Sequence, residues 1–281
     1  SEGGDDIAAY SGAGVIKHPL KPFLVVPTTA GTGSGVTSVA VITDTTKSVK
    51  LPFTSSFLLP NAAVIDPRMT LTLPPHITAA TAMDAMTHAT EAFTCMAKNP
   101  LSDAYATAAV KKISTSLLQV MDNPKDSDGR LELAQASTMA GIAFSNSMVG
   151  LVHALGHATG AICHLPHGLC MSLYLPYVLE YNLESIRAPL GELLLYLEGP
   201  DVYSATPASR RAEASISALR KLRDELHKRC KLPRTLKETG SVEEHQLDTI
   251  AEMAMDDGAM MFNPKEVSLE DARAVLKRAW A

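Results

Sequence analysis

Residues 81–93 read TAMDAMTHATEAF, and residues 150–168 read GLVHALGHATGAICHLPHG. In the first stretch Asp84 and His88 stand four positions apart; in the second, His153 and His157 repeat that interval and His167 follows. Residues four apart on a helix lie on one face, one side chain above the other. Two such faces turned toward each other bring an aspartate and several imidazoles to one point. Imidazole with carboxylate suits Fe, Zn, Ni or Cu better than Ca or Mg. The small residues Gly150, Ala154, Gly156, Ala158 and Gly160 allow the close helix approach that a metal site inside a bundle requires.

Taken singly, a histidine on an apolar helix face is a hydrogen-bonded core residue, and His18, His76, His227 and His245 are read that way, with no role. His164 is read as a loop or solvent-side residue. The hydrolytic HExxH arrangement is excluded, because the position after His153 is Ala154 rather than the glutamate that serves as general base.

Working outward, the sequence before this region has α/β character. Residues 21–27 (KPFLVVP), 36–43 (VTSVAVIT) and 62–66 (AAVID) are short apolar runs expected as strands. The small-residue turn TTAGTGSG joins the first two. From Pro74 onward Ala, Leu and Met recur at helical spacing. Helices are expected over 78–97, 102–121, 129–147, 151–163, 169–181, 207–230, 242–255 and 268–281. Ser102-Asp103 is a candidate cap, Asn123-Pro124 a break, and Ser268-Leu-Glu-Asp a capping-box start for the last helix. The expected architecture is an α/β part (residues 1–72) followed by a larger all-α metal-binding domain (73–281).

Composition narrows the function classes. With 281 residues, 46% hydrophobic and 20% charged, the chain can bury a substantial core and is not of disordered type. A formal charge of −5 and the lack of a basic stripe speak against nucleic acid as a partner. The run Arg220, Lys221, Arg223, Lys228, Arg229, Lys231 carries Asp224 and Glu225 within it and reads as a solvated helix face. No apolar run approaches the roughly 18 residues of a membrane span, and no leader is evident. Cys95, Cys163, Cys170 and Cys230 form no CxxC pair and suit a reducing compartment as buried thiols. A cytoplasmic location is the expectation.

The succession PTTAGTGSG (residues 27–35), VIDP (64–67), TAMDAMTHATEAF, GLVHALGHATGAICHLPHG, then Asp256-Asp257 and Asn263-Pro264, resembles the iron-containing (group III) alcohol dehydrogenases. The resemblance implies the dehydroquinate synthase-like architecture of that family, in which the α/β part is a remnant of a dinucleotide-binding domain. Its metal ligands fall on Asp84, His88, His153 and His167, while its extra histidine falls on His157, viewed as a substrate-side or proton-relay group. Thr28, Thr29 and Thr32 are implied to contact the nicotinamide cofactor, NAD or NADP, with Lys50 near the ribose. By position in the motifs, Val39, Val41, Phe144 and Ala259 are expected in the substrate pocket wall.

The resemblance further implies reversible oxidation of a primary alcohol or diol to its aldehyde, with Fe2+ or Zn2+ as Lewis acid and hydride passing to the nicotinamide. A homodimer is expected. Two departures are local: Gly35 stands where the family carries Glu, and Ala82 where it carries Gly. The family's GGGS diphosphate turn has no counterpart in these residues, so a half-domain of roughly 100 residues is expected upstream. A different class of reading is a catalytically silent helical metal-binding module or assembly subunit with an incomplete cofactor site.

Overall fold

The computed structural model describes residues 6–44 and 49–281. The α/β part holds two small sheets. In one, β1 (Gly12–Ala13) pairs parallel with β4 (Val49–Thr54), which pairs antiparallel with β3 (Val39–Asp44) in the register Val39↔Thr54 to Asp44↔Val49. In the other, β2 (Leu24–Val25) pairs parallel with β5 (Ala62–Ala63). The expected strands at 21–27 and 62–66 thus shrink to two residues each. Pro27, which lacks the amide that would extend a ladder, stands two residues beyond β2. Strand β4 is not among the sequence expectations, and Pro52 within it is the reason.

From Pro75 the chain is helical. The helices are α1 (Pro75–Thr94), α2 (Pro100–Asp122), α3 (Ser127–Ser145), α4 (Leu151–Cys163), α5 (His167–Glu198), α6 (Pro200–Ala205), α7 (Arg211–Cys230), α8 (Leu247–Met255) and α9 (Leu269–Trp280). Helix α1 is the centre of the bundle and packs on α2, α3 and α5. Every residue of α1 from Thr78 to Thr94 except Thr81 is buried, so the helix has no solvent face. Alanines at 79, 80, 82, 85, 89 and 92 keep it slim enough to be surrounded.

Local chemistry explains most helix ends. Asn99, not Ser102, caps α2: its side chain accepts from the Leu101 and Ser102 amides, and Ser102 returns a bond to the Asn99 amide from the third position. Ser268 and Asp271 form the expected capping box of α9. Helix α5 runs on to Glu198, well past the expected end at 181, and passes through Pro176 and Pro189. Packing against α1, α4, α7 and α9 offsets the missing proline amides.

Three expectations about polar residues change. His18, His76 and His245 are exposed rather than core residues. His227 is half-buried and bonds the Leu232 carbonyl through Nδ1 at 2.9 Å. Arg223, read as part of a solvated face, is buried, with its guanidinium 5.6 Å from the Tyr177 ring centroid. Cys95, Cys163 and Cys170 are buried thiols as expected, and Cys230 is half-buried. Among the described residues no helix is long and apolar enough to cross a membrane.

Candidate metal centre

A buried polar group must find a partner, and α1 is buried all round. Thr87 and Thr94 solve this within the helix by donating to the carbonyls of Met83 and Thr90 at 2.8 Å. Asp84, His88 and Glu91 cannot, so their partners come from elsewhere. Helix α4 brings His153, and the first residue of α5 is His167. Gly168 makes that meeting feasible, because a Cβ there would fall 2.4 Å from the Ala80 carbonyl oxygen of α1.

One donor atom from each of Asp84, His88, His153 and His167 lies within 4.8 Å of all the others. Asp84 Oδ1 is 3.4 Å from His167 Nε2 and 3.8 Å from His88 Nδ1. Asp84 Oδ1, His88 Nδ1 and His153 Nε2 are all buried without a hydrogen-bond partner. Orphans of this kind cost about 1–3 kcal/mol each. Three converging on one point fit a cation, which would satisfy all of them together.

The protonation states suit the same role. Burial pushes His88 down to about 3, against the pull of Asp84. Burial likewise takes His153 well below its usual value. Asp84 is raised by burial, but the surrounding imidazoles outweigh this and hold it at about 2. At neutral pH one carboxylate therefore faces neutral His88 and His153, the state in which such ligands bind metal.

Neighbouring groups complete the centre. Phe144 stacks on His88 with ring centroids 4.4 Å apart, and His88 stacks on His153 at 4.6 Å. His157 stacks on His167 at 5.3 Å, and its Nδ1 is 2.8 Å from Asp257 Oδ2. Burial raises the Asp257 carboxyl, but the His157 bond prevails and lowers it. Ala259, buried, donates its amide to Asp257 Oδ1 at 2.8 Å and so lies behind the His157–Asp257 pair. His164 ends α4 in a left-handed conformation, exposed, as a loop residue.

Glu91 belongs to the site and is absent from the sequence expectations. It is 5% exposed, and burial pushes its carboxyl up to about 7 against the backbone amides of Gly150 and Val152. The signal lay in the quoted stretch: Glu91 stands three positions after His88 and seven after Asp84, on the same helix face.

Thr28, Thr29 and Thr32 line a groove of about 230 Å³ with Asp66 and, from α3, Ser137 and Thr138. The turn is pressed onto α3. Gly33, at φ 63°, would place a Cβ 2.5 Å from Gly141 Cα, and its amide donates to Ser137 Oγ at 3.3 Å. Val39 and Val41 stand on β3 with 43% and 58% of their surface exposed. Lys50 lies in β4, and its side chain is outside the described residues.

Comparison with known proteins gives the same picture along the whole chain. Residues 78–280 match the C-terminal domain of the Fe-containing alcohol dehydrogenase family, and residues 3–67 match the iron-containing alcohol dehydrogenase family. The chain is 35% identical over 279 residues to alcohol dehydrogenase 4 of Saccharomyces cerevisiae, covering 99% of this chain and 70% of the relative. It is also 35% identical over 279 residues to the NAD-dependent methanol dehydrogenase of Bacillus methanolicus, covering 98% and 71%. The solved structure of a 1,3-propanediol oxidoreductase superposes with a TM-score of 0.92 at 33% identity, covering 98% of this chain and 70% of that one.

Proposed function

Because the chain belongs to the iron-containing alcohol dehydrogenase family, we propose that it interconverts a primary alcohol or diol and its aldehyde by hydride transfer with NAD or NADP. Relatives named as NAD-dependent methanol dehydrogenase, NADPH-dependent butanol dehydrogenase and 1,3-propanediol dehydrogenase support this substrate class. Asp84, His88, His153 and His167 would hold the divalent metal, iron by family and zinc by ligand type, which when bound supplies Lewis-acid activation of the alcohol. The groove at Thr28, Thr29 and Thr32 would receive the dinucleotide.

The chain's own residues account for the rest. Ionised Asp84 supplies one negative charge against the cation, and the neutral imidazoles supply lone pairs. Phe144, stacked on His88, keeps water from that side of the centre. Asp257 engages His157 at Nδ1, leaving Nε2 to take the proton released by the alcohol. The His157 side chain is 44% exposed, so it can pass that proton to solvent.

The same reading has an α/β part to residue 72 and a helical part after it as the two walls of the site. A homodimer fits β3, an edge strand among the described residues that leaves Val39, Val41 and Ile42 exposed. Among the described residues Cys95, Cys163, Cys170 and Cys230 form no disulfide, which supports a cytoplasmic location.

The observation that carries the proposal is the convergence of four donors with three buried unpartnered atoms. Protein purified anaerobically and supplied with Fe2+ should form NADH or NADPH from a panel of short alcohols and diols. Absence of metal-dependent formation with both cofactors would overturn it.

A further inference from the structure

Helix α4 starts without a cap of its own. Its N-cap is Gly150, which has no side chain to accept from the first amides. Two side chains from other elements do so instead. The Leu151 amide donates to Asn263 Oδ1 at 3.3 Å, and the Val152 amide donates to Glu91 Oε1 at 2.8 Å. Asn263 is fixed in turn by a reciprocal pair of bonds with Asn182, both 2.9 Å.

Glu91 has a second oxygen, and it is committed as well. Oε2 lies 2.5 Å from Nδ1 of His153, on the same first turn of α4. One buried carboxylate therefore ties the start of α4 to α1 and grips the imidazole that α4 presents. The other nitrogen of that ring, Nε2, is buried and has no partner.

We propose that Glu91 is the positioning residue of the metal centre: it accepts the Nδ1 proton of His153, fixing the tautomer and ring orientation that leave Nε2 as an unprotonated lone pair for the ion. This rests on reading Asp84, His88, His153 and His167 as ligands. A carboxylate is the side chain that fits, because both neighbours of Glu91 are donors. Glu91→Gln keeps the shape and breaks this logic. Its amide oxygen is claimed by the Val152 N–H, which turns the NH2 group toward Nδ1. The ring must then carry its proton on Nε2, where the ion belongs.

The test uses Zn2+ as probe, with dissociation constants measured by competition with a chromophoric chelator for wild type, E91Q and T159V. Thr159 lies on the same helix, buried, and bonds Tyr174 Oη at 2.6 Å away from the ligands, so T159V controls for a general loss of α4 packing. E91Q is expected to bind Zn2+ roughly 10–100-fold more weakly than wild type, and T159V to bind like wild type. Equal affinity of E91Q and wild type overturns the proposal, as does equal weakening by T159V. If wild type itself takes up no Zn2+, the metal reading falls and the proposal with it; if wild type binds and E91Q binds equally, only the proposal falls. Should E91Q not fold, 15N shifts of the His153 ring in Zn-loaded wild type decide. A proton on Nδ1 and the metal on Nε2 support the assignment, and the reverse overturns it.

Discussion

Nδ1 of His157 lies 2.8 Å from Oδ2 of Asp257, while the other oxygen of that carboxylate accepts from the Ala259 amide at 2.8 Å. Both oxygens of Asp257 are thus engaged, and Nε2 of His157 lies outside that pair. In Asp257→Asn the amide oxygen stays on Ala259 and the NH2 turns to Nδ1, which moves the ring proton to Nε2. The variant should keep its metal and lose roughly 100-fold or more in kcat. Metal content by elemental analysis, beside a pH profile of kcat, checks this; metal lost together with activity would contradict it.

His88 makes a second prediction. Its Nδ1 is buried without a partner, so in metal-free protein it costs stability. His88→Leu should raise the stability of the chelator-treated protein by about 1–3 kcal/mol and abolish the gain that wild type shows on adding Zn2+. Urea midpoints with and without the ion measure both effects. A metal-free variant less stable than metal-free wild type would show that the orphaned nitrogen is not a burden.

The contact between Gly33 and Gly141 makes a third. A Cβ on Gly141 would sit 2.8 Å from the Gly33 carbonyl oxygen and 2.9 Å from Gly33 Cα. Gly141→Ala should cost about 1–3 kcal/mol through overpacking and push the threonine turn off α3. Its NADH affinity should fall while Zn2+ affinity stays unchanged, as parallel titrations would show. Equal loss of both would mean that the turn is not the part displaced.

Acid should destabilise the metal-free protein. His88 and His153 are lowered in the folded state, to about 3 for His88. As pH falls below the ordinary histidine value of 6.5, the unfolded chain takes up protons that the folded one refuses, and stability drops. Glu91, raised from 4.5 to about 7, acts in the opposite sense between those values, because its folded form holds a proton that the unfolded form lacks. Two histidines outweigh one glutamate, so the net slope stays positive, and it steepens below 4.5, where Glu91 no longer opposes. Urea midpoints of chelator-treated protein across this range should fall monotonically with pH below 6.5; a flat profile would contradict the depressed histidines.

Three of the four converging donors were legible in spacings of four, Asp84 with His88 and His153 with His157, whereas His167 joins them from the first turn of α5. The bounds of α4 were legible for the same reason, since periodicity begins after Gly150 and stops at Cys163. Glu91, on the face of Asp84 and His88, was passed over because a glutamate on a helix reads by default as solvated, and its burial depends on α1 being enclosed by α2, α3 and α5. Helix α5 was underestimated because its local pattern ends at Tyr181, ahead of Pro189, whereas packing on α1, α4, α7 and α9 carries it to Glu198. Strand β4 was missed because Pro52 interrupts its pattern, although it pairs with the neighbouring strand β3 in the register Asp44↔Val49. Arg223 shows the converse error, a charge assigned to solvent that lies against Tyr177.

Exposure is uneven around the four donors. The side chains of Asp84, His88 and His153 are 3%, 7% and 3% exposed, whereas that of His167 is 34% exposed. The centre reaches solvent where His167 and His157 stand. Ion and alcohol would then use a single doorway, and a seated alcohol becomes a plug that slows stripping of the ion by chelator. Replacement of the metal would be paced by turnover of the substrate as well as by the grip of its ligands.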